Sequence, residues 1–166
     1  MAIPVQNQSS SGRPGQAPAR RIVVGVDTSP AAGAAFAWAC DEAARSGDEV
    51  IAVSVIEERA PILAGPVPVL APLGLEELRR AAEARISDLA DAVAASESVR
   101  IKILPPTDPA SALVREAATA DLLVVGAHRR GPVGALVGST AGHCSRHAAC
   151  PVVIVPPSWG ARDEHH

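Results

Sequence analysis

Apolar positions follow two alternating rhythms along this chain. Short β-branched runs, "RIVVGVD" (21–27), "EVIAVSVIE" (49–57), "DLLVVG" (121–126) and "PVVIV" (151–155), predict strands. "VRIKIL" (99–104) alternates apolar with charged residues and predicts a strand at a sheet edge. The segments between them have helical spacing. "SPAAGAAFAWACDEAARSG" (29–47) opens with Ser29 as N-cap and Pro30 in the first turn, and closes on Arg45 and Gly47. In "LEELRRAAEARISDLADAVAAS" (75–96), Leu75, Leu78, Ala82, Ile86, Leu89 and Val93 recur at intervals of three and four, with Glu76, Arg79, Arg80, Glu83 and Asp91 off that stripe. "DPASALVREAATA" (108–120) carries Asp108 as N-cap and Pro109 at the first helical position, and "STAGHCSRHAA" (139–149) predicts a short last helix. Residues 58–74 hold four prolines and read as a loop.

Strands therefore alternate with helices. The strands at 21–27, 49–57 and 121–126 are continuous apolar runs, the pattern of a parallel sheet covered on both faces. Right-handed crossovers then give a doubly wound α/β sheet, which binds ligands outside the carboxyl ends of its strands, where the winding reverses. Gly25, Asp27 and Thr28 fall at the end of the first strand, and Gly126 to Gly138 follow the fourth.

Composition narrows the picture. The 166 residues suit one domain with its own core. Apolar residues make up 48% of the chain and aromatics 2%, so the core must be built from Ala, Val, Leu and Ile. A net charge of −3 carries no basic footprint for nucleic acid. No apolar run approaches the ~20 residues of a membrane span. Residues 1–19, rich in Gln, Ser, Gly and Pro, read as a disordered tail without a signal-peptide pattern. Three cysteines without a CxxC motif fit a reducing compartment, and the expected location is cytoplasmic. The end of the chain, 158–166, is expected to fray.

The chemistry concentrates in "VVGAHRRGPVGALVGST" (124–140). Gly126, Gly131, Gly134 and Gly138 allow sharp turns and close approach to a ligand. Ser139 and Thr140 supply hydroxyls where a helix begins, and the unpaired N–H groups and dipole of a helix start favour an anion. Arg129 and Arg130 could add charge-assisted hydrogen bonds to phosphate. The other reading is a surface loop with an ordinary serine cap. The motif is neither a Walker loop nor the dinucleotide fingerprint, because it has no Gly-Lys-Ser/Thr and its glycine spacing and position differ.

With these residues in view, the chain resembles the universal stress protein family. "VVGVDTSPAAGAAFAWACDEA" is similar to that family's first strand and helix, and "ATADLLVVGAHRRGPVGALVGSTAGHCSRHAACPVVIVP" to its long C-terminal signature, over residues 20–157. The resemblance implies a single-domain, Rossmann-like (adenine nucleotide alpha-hydrolase-like) five-stranded parallel sheet with strand order 3-2-1-4-5. It also implies a homodimer paired through residues 151–155, and ATP, with or without Mg2+, as ligand. The family's ATP loop reads Gly-x2-Gly-x9-Gly-Ser/Thr. Gly126 matches the first glycine, and Gly138 with Ser139 the closing pair. Arg129 stands where the second glycine belongs, and eleven residues rather than twelve separate Gly126 from Gly138.

By the same resemblance Asp27 would contact the adenine or ribose end, with Gly25, Val26 and Thr28 beside it. Val53 would line the adenine pocket. Gly126, Ala127, His128, Arg129, Arg130, Gly131 and Gly138 would frame the phosphates, with Ser139 and Thr140 meeting the terminal ones. The implied role is a dimeric nucleotide-dependent stress sensor or regulator, not an enzyme. The alternative is a member that binds no nucleotide and acts through protein contacts.

Other motifs point less far. His143, His147 and Cys150 share a helical face, a spacing open to metal, but the run also matches the family's closing helix, where Cys150 is a packed residue. Cys40 and Cys144 read as small buried hydrophobes. No nucleophile–base pair accompanies Asp27. Trp38 reads as core, and Trp159 as either covering a dimer neighbour or covering nothing.

Overall fold

The computed structural model describes residues 18–57, 74–95, 99–127 and 138–160. Five strands alternate with four helices: β1 (Arg21–Gly25), α1 (Pro30–Ser46), β2 (Glu49–Val55), α2 (Leu75–Ala92), β3 (Val99–Leu104), α3 (Pro109–Ala117), β4 (Leu122–Gly126), α4 (Ser139–His147) and β5 (Val152–Val155). All neighbouring strands are parallel, in the order β3-β2-β1-β4-β5. The doubly wound sheet and its strand order are those expected, and the charged β3 does lie at an edge. The winding reverses between β1 and β4.

The strand alternation divides the core into two layers. Ile22 and Val24 of β1 point toward α1 and α2, where Phe36, Ala39, Ile86 and Ala90 are buried. Val23, Ile51 and Leu123 point to the opposite layer, against Leu113 and Ala117 of α3 and Ala141 and Cys144 of α4. Alanine is the working residue of α1: Ala31, Ala32, Ala35, Ala39 and Ala43 are all buried, so the helix lies close on the sheet. Trp38 packs half-buried against this layer. Cys40 is buried in this layer and Cys144 in the opposite one, and burial pushes the Cys40 thiol up to about 11.

The helix ends follow their capping residues. The Ser29 hydroxyl accepts from the Ala32 N–H at 3.1 Å, and Gly47, at φ 74°, closes α1. Asp108 accepts from the Ser111 N–H at 2.8 Å to cap α3. Several elements are shorter than their sequence patterns. The β1 ladder stops at Gly25, although the Val26 N–H still donates to the Val53 carbonyl at 2.8 Å. Helix α2 ends at Ala92 rather than 96, because Ala94 takes a left-handed φ of 53° and the Ala95 N–H turns back to the Ala90 carbonyl. Helix α3 ends at Ala117 and dissolves into single turns before β4. Helix α4 ends at His147, where Ala148 is already extended.

The end of the described chain departs from expectation. Trp159 does not hang free: a turn that joins its N–H to the Pro156 carbonyl at 3.0 Å folds it back, half-buried, against the layer that holds α1. An indole carries a large apolar area, so even partial cover on the α1 layer is favourable. No helix among the described residues is long and apolar enough to cross a membrane.

Candidate functional site

A cleft opens at the carboxyl ends of β1 and β4, where the winding direction changes. Gly25, Val26 and Asp27 line it from β1, Val125 and Gly126 from β4, and Val53, Val55 and Glu57 from β2 and its continuation. Helices complete the walls: Ser29 and Ala32 at the start of α1, Pro109 and Leu113 at the start of α3, and Thr140 at the start of α4. Three helix amino termini therefore converge on one cavity, as the topology of a doubly wound sheet dictates.

These termini are not equivalent. At α1 the Asp27 carboxylate accepts from the Ser29 N–H at 2.7 Å, in addition to the Ser29 cap itself. At α3 Asp108 occupies the cap, and its hydrogen bonds from Ser111, with the nearby His143 and Arg115, hold its carboxyl below the usual range. Both starts carry a side-chain acceptor. Helix α4 begins differently. Its cap is Gly138, in extended conformation, which has no side chain to accept from the first turn. Its early N–H groups thus face the cleft's end without a protein acceptor at the cap, beside the Thr140 hydroxyl.

Half of the residues expected in the site are brought together. Gly25, Val26, Asp27, Val53, Gly126 and Thr140 line the cleft, and Gly138 caps the helix that closes it. Ser139 is the first residue of α4 rather than its cap, and it is exposed. Ala127 is buried, and its N–H donates to the Val155 carbonyl at 2.8 Å, so it extends the β4–β5 ladder. Thr28 lines a second hollow beside the first, between the ends of β1 and β2 and helix α2, with Ser54, Leu78 and Arg85. His128, Arg129, Arg130 and Gly131 lie outside the described residues.

The cleft also contains residues that sequence reasoning missed. Glu57, Val55, Leu113 and Pro109 are walls of the cavity because of how β2 and α3 lie on the sheet. Leu113 approaches Gly25 so closely that a β-carbon there would stand 2.8 Å from its Cδ1, which makes the bare Gly25 backbone and the Leu113 side chain one continuous floor. The His143 and His147 rings lie in tilted contact on α4, with centroids 4.4 Å apart and planes at 40°. Among the described residues no three His, Cys, Asp or Glu side chains are grouped to hold a metal.

The fold and this strand-end cleft define a doubly wound α/β protein of the kind that receives a small ligand at its switch point. Comparison with known proteins makes the class specific. The model of the universal stress protein family matches residues 18–156. A universal stress protein of Mycolicibacterium smegmatis is 32% identical over 138 residues, covering 82% of this chain and 45% of the relative. One from Mycobacterium tuberculosis is 35% identical over 143 residues with the same shares. The chain thus spans about half the length of the curated relatives it matches. Among solved structures, the universal stress protein UspA from Lactobacillus plantarum superposes with a TM-score of 0.64 at 28% identity, covering 84% of this chain and 99% of that one. A universal stress protein in complex with cAMP gives a TM-score of 0.59 at 26% identity, covering 84% and 98%. This chain belongs to the universal stress protein family.

Proposed function

We propose that the chain binds an adenine nucleotide, ATP with or without Mg2+, in the cleft at the ends of β1 and β4. In this reading it serves as a dimeric, nucleotide-dependent sensor or regulator in stress responses, without catalysing a reaction. The observation that carries the reading is the start of α4. Among the described residues, of the three helix termini at the cleft it alone has a glycine cap and no capping carboxylate or hydroxyl, so an anion placed there meets helix-start N–H groups and Thr140. Asp27 and Glu57 stand on the cleft's wall at the ends of β1 and β2, which leaves the α4 end to the phosphates. The apolar faces of Val53, Val55, Val125 and Leu113 suit a planar base. The cAMP complex of a structural neighbour adds support from a related chain.

The test is calorimetric titration of ATP into wild type, Gly138→Asp and Arg129→Gly. A carboxylate at position 138 would fill the glycine cap and repel phosphate, and it should weaken binding by roughly 100-fold or more. Arg129→Gly restores the family's second glycine. It should weaken binding if the guanidinium pairs with phosphate, and strengthen it if the side chain crowds the site. The shortened loop and Arg129 also favour a second reading, action through protein contacts without nucleotide. No ATP binding by any of the three proteins would overturn the first reading and leave the second standing.

A further inference from the structure

Glu57 is the acid of the cleft whose role the fold itself leaves open. The Ile56 N–H donates to the Leu104 carbonyl at 3.0 Å, so the chain keeps following β3 one residue past the end of β2 and holds position 57 over the strand ends. Glu57 lines both the main cleft and the neighbouring hollow, sharing with Asp27 and Val55 the saddle between them. Among the described residues it makes no hydrogen bond or ion pair. Most other acids of the sheet and helices are engaged: Glu49 with Arg100, Glu116 with Lys102, Glu42 and Asp48 with Arg20. Asp27 is tied to the start of α1 through the Ser29 N–H.

We infer that Glu57 is a specificity-determining residue that accepts a hydrogen bond from the exocyclic amino group of the bound base. The inference rests on the nucleotide reading above and deepens it. The cleft is electrically polar along its length, with uncapped helix N–H groups at α4 and carboxylates at the β1–β2 end. A ligand with an anion at one end and hydrogen-bond donors at the other matches that polarity, and the reverse orientation sets phosphate against carboxylate. Val53 and Val55 flank Glu57 and are apolar, so the group that meets the carboxylate arrives on a flat, apolar body. A base edge does so, whereas a sugar diol would leave its remaining hydroxyls against valine. An amine donor to an ionised carboxylate makes a charge-assisted bond, and a base lacking that donor leaves the carboxylate desolvated without a partner.

The experiment compares ATP with purine riboside 5′-triphosphate, which lacks both the 6-amino group and any N1 hydrogen, by titration into wild type and Glu57→Ala. Wild type should prefer ATP by roughly tenfold or more. In Glu57→Ala that preference should fall to about one, and the affinity for the purine analogue should hold or rise, because the carboxylate it leaves unpaired is gone. Glu57→Gln, which keeps a carbonyl acceptor without the charge, should retain part of the preference. Equal preference in wild type and Glu57→Ala overturns the inference, and so does an equal loss of affinity for both ligands, the mark of a merely structural role. Failure of wild type to bind either triphosphate removes the nucleotide reading itself, an outcome distinct from the other two.

Discussion

A β-carbon at Gly126 would stand 2.5 Å from the carbonyl carbon of Ala31, 2.6 Å from its oxygen and 2.8 Å from the Ala32 nitrogen. The end of β4 thus runs directly under the first turn of α1, backbone against backbone. This glycine also opens the loop that the sequence marks as the ligand loop, yet helix packing alone already requires it. Neither partner in the contact is a flexible side chain, so Gly126→Ala must move a strand or a helix. It should destabilise the protein by about 3 kcal/mol. Gly33, inside α1, is the contrasting case, because a β-carbon there would meet only Leu89, at 3.9 Å. Gly33→Ala should stabilise by about 0.5–1 kcal/mol through helix propensity. Urea denaturation of both variants measures the two effects, and a mild Gly126→Ala would show that the α1–β4 contact can relax.

Ala94 offers a stabilising change. It adopts φ 53° at the end of α2, a conformation that costs a residue with a β-carbon about 1 kcal/mol and costs glycine almost nothing. Ala94→Gly removes that strain while preserving the bond from the Ala95 N–H to the Ala90 carbonyl. The gain is partly offset by the greater freedom of glycine in the unfolded chain. The expected net effect is a rise of up to about 1 kcal/mol in unfolding free energy, seen as a higher midpoint with an unchanged slope in denaturant.

Acid should weaken the molecule through Asp48. Burial opposes its ionisation, but the Ser46 hydroxyl, the Arg20 guanidinium and the Arg20 N–H together outweigh burial and hold the carboxyl below its ordinary value. The Arg20 N–H and Nε lie 2.8 and 2.9 Å from the two carboxylate oxygens, which pins the start of β1 to the turn before β2. A carboxyl whose pKa is lower in the folded state contributes its stability above the unfolded value, near pH 4, and loses it as pH falls through the folded value. Asp48→Asn should therefore cost about 1–2 kcal/mol at pH 7 and progressively less below pH ~4. Parallel loss of stability in wild type and variant down to pH ~2 would rule out Asp48 as a source of acid sensitivity.

The fold was readable from the chain because its signals are local. Continuous Val and Ile runs mark strands buried on both faces, and Ser29, Pro30, Asp108 and Pro109 mark helix starts where the structure has them. The cleft was readable as far as it lies at the ends of β1 and β4, since Gly25, Asp27 and Gly126 each terminate an apolar run. Glu57 gave no such signal, because it follows β2 as any solvated residue would and reaches the cleft only through the β2–β3 register. Leu113 reads as one more apolar position of an amphipathic helix, and its place over Gly25 depends on the rotation of α3 on the sheet. Trp159 sits among prolines and polar residues, the composition of a loose tail, and only the hollow beside α1 explains why it turns inward.

The proposed dimer can be tested through the backbone of β5. β5 is the sheet's outer strand beyond β4, and its side chains serve the monomer: Val153 packs on the α1 layer and Ile154 on the α4 layer, so a charge at either would damage the fold itself. The backbone offers a cleaner lever. The carbonyls of Pro151 and Val155 accept from the N–H groups of Leu123 and Ala127, both at the β4 side. Strand residues alternate the side on which they bond, so Val153 also faces β4, and Val152 and Ile154 present their N–H and carbonyl groups outward. An outer strand with regularly spaced outward donors and acceptors, which β5 is among the described residues, is a template for antiparallel pairing with its own copy about a two-fold axis. Ile154→Pro deletes one outward donor while leaving every bond to β4 in place, and proline is tolerated on edge strands for this reason. Wild type should sediment as a dimer at micromolar concentration, and Ile154→Pro as a monomer with its circular dichroism spectrum retained. A variant that stays dimeric would move the interface off β5, and a monomeric wild type would end the dimer proposal.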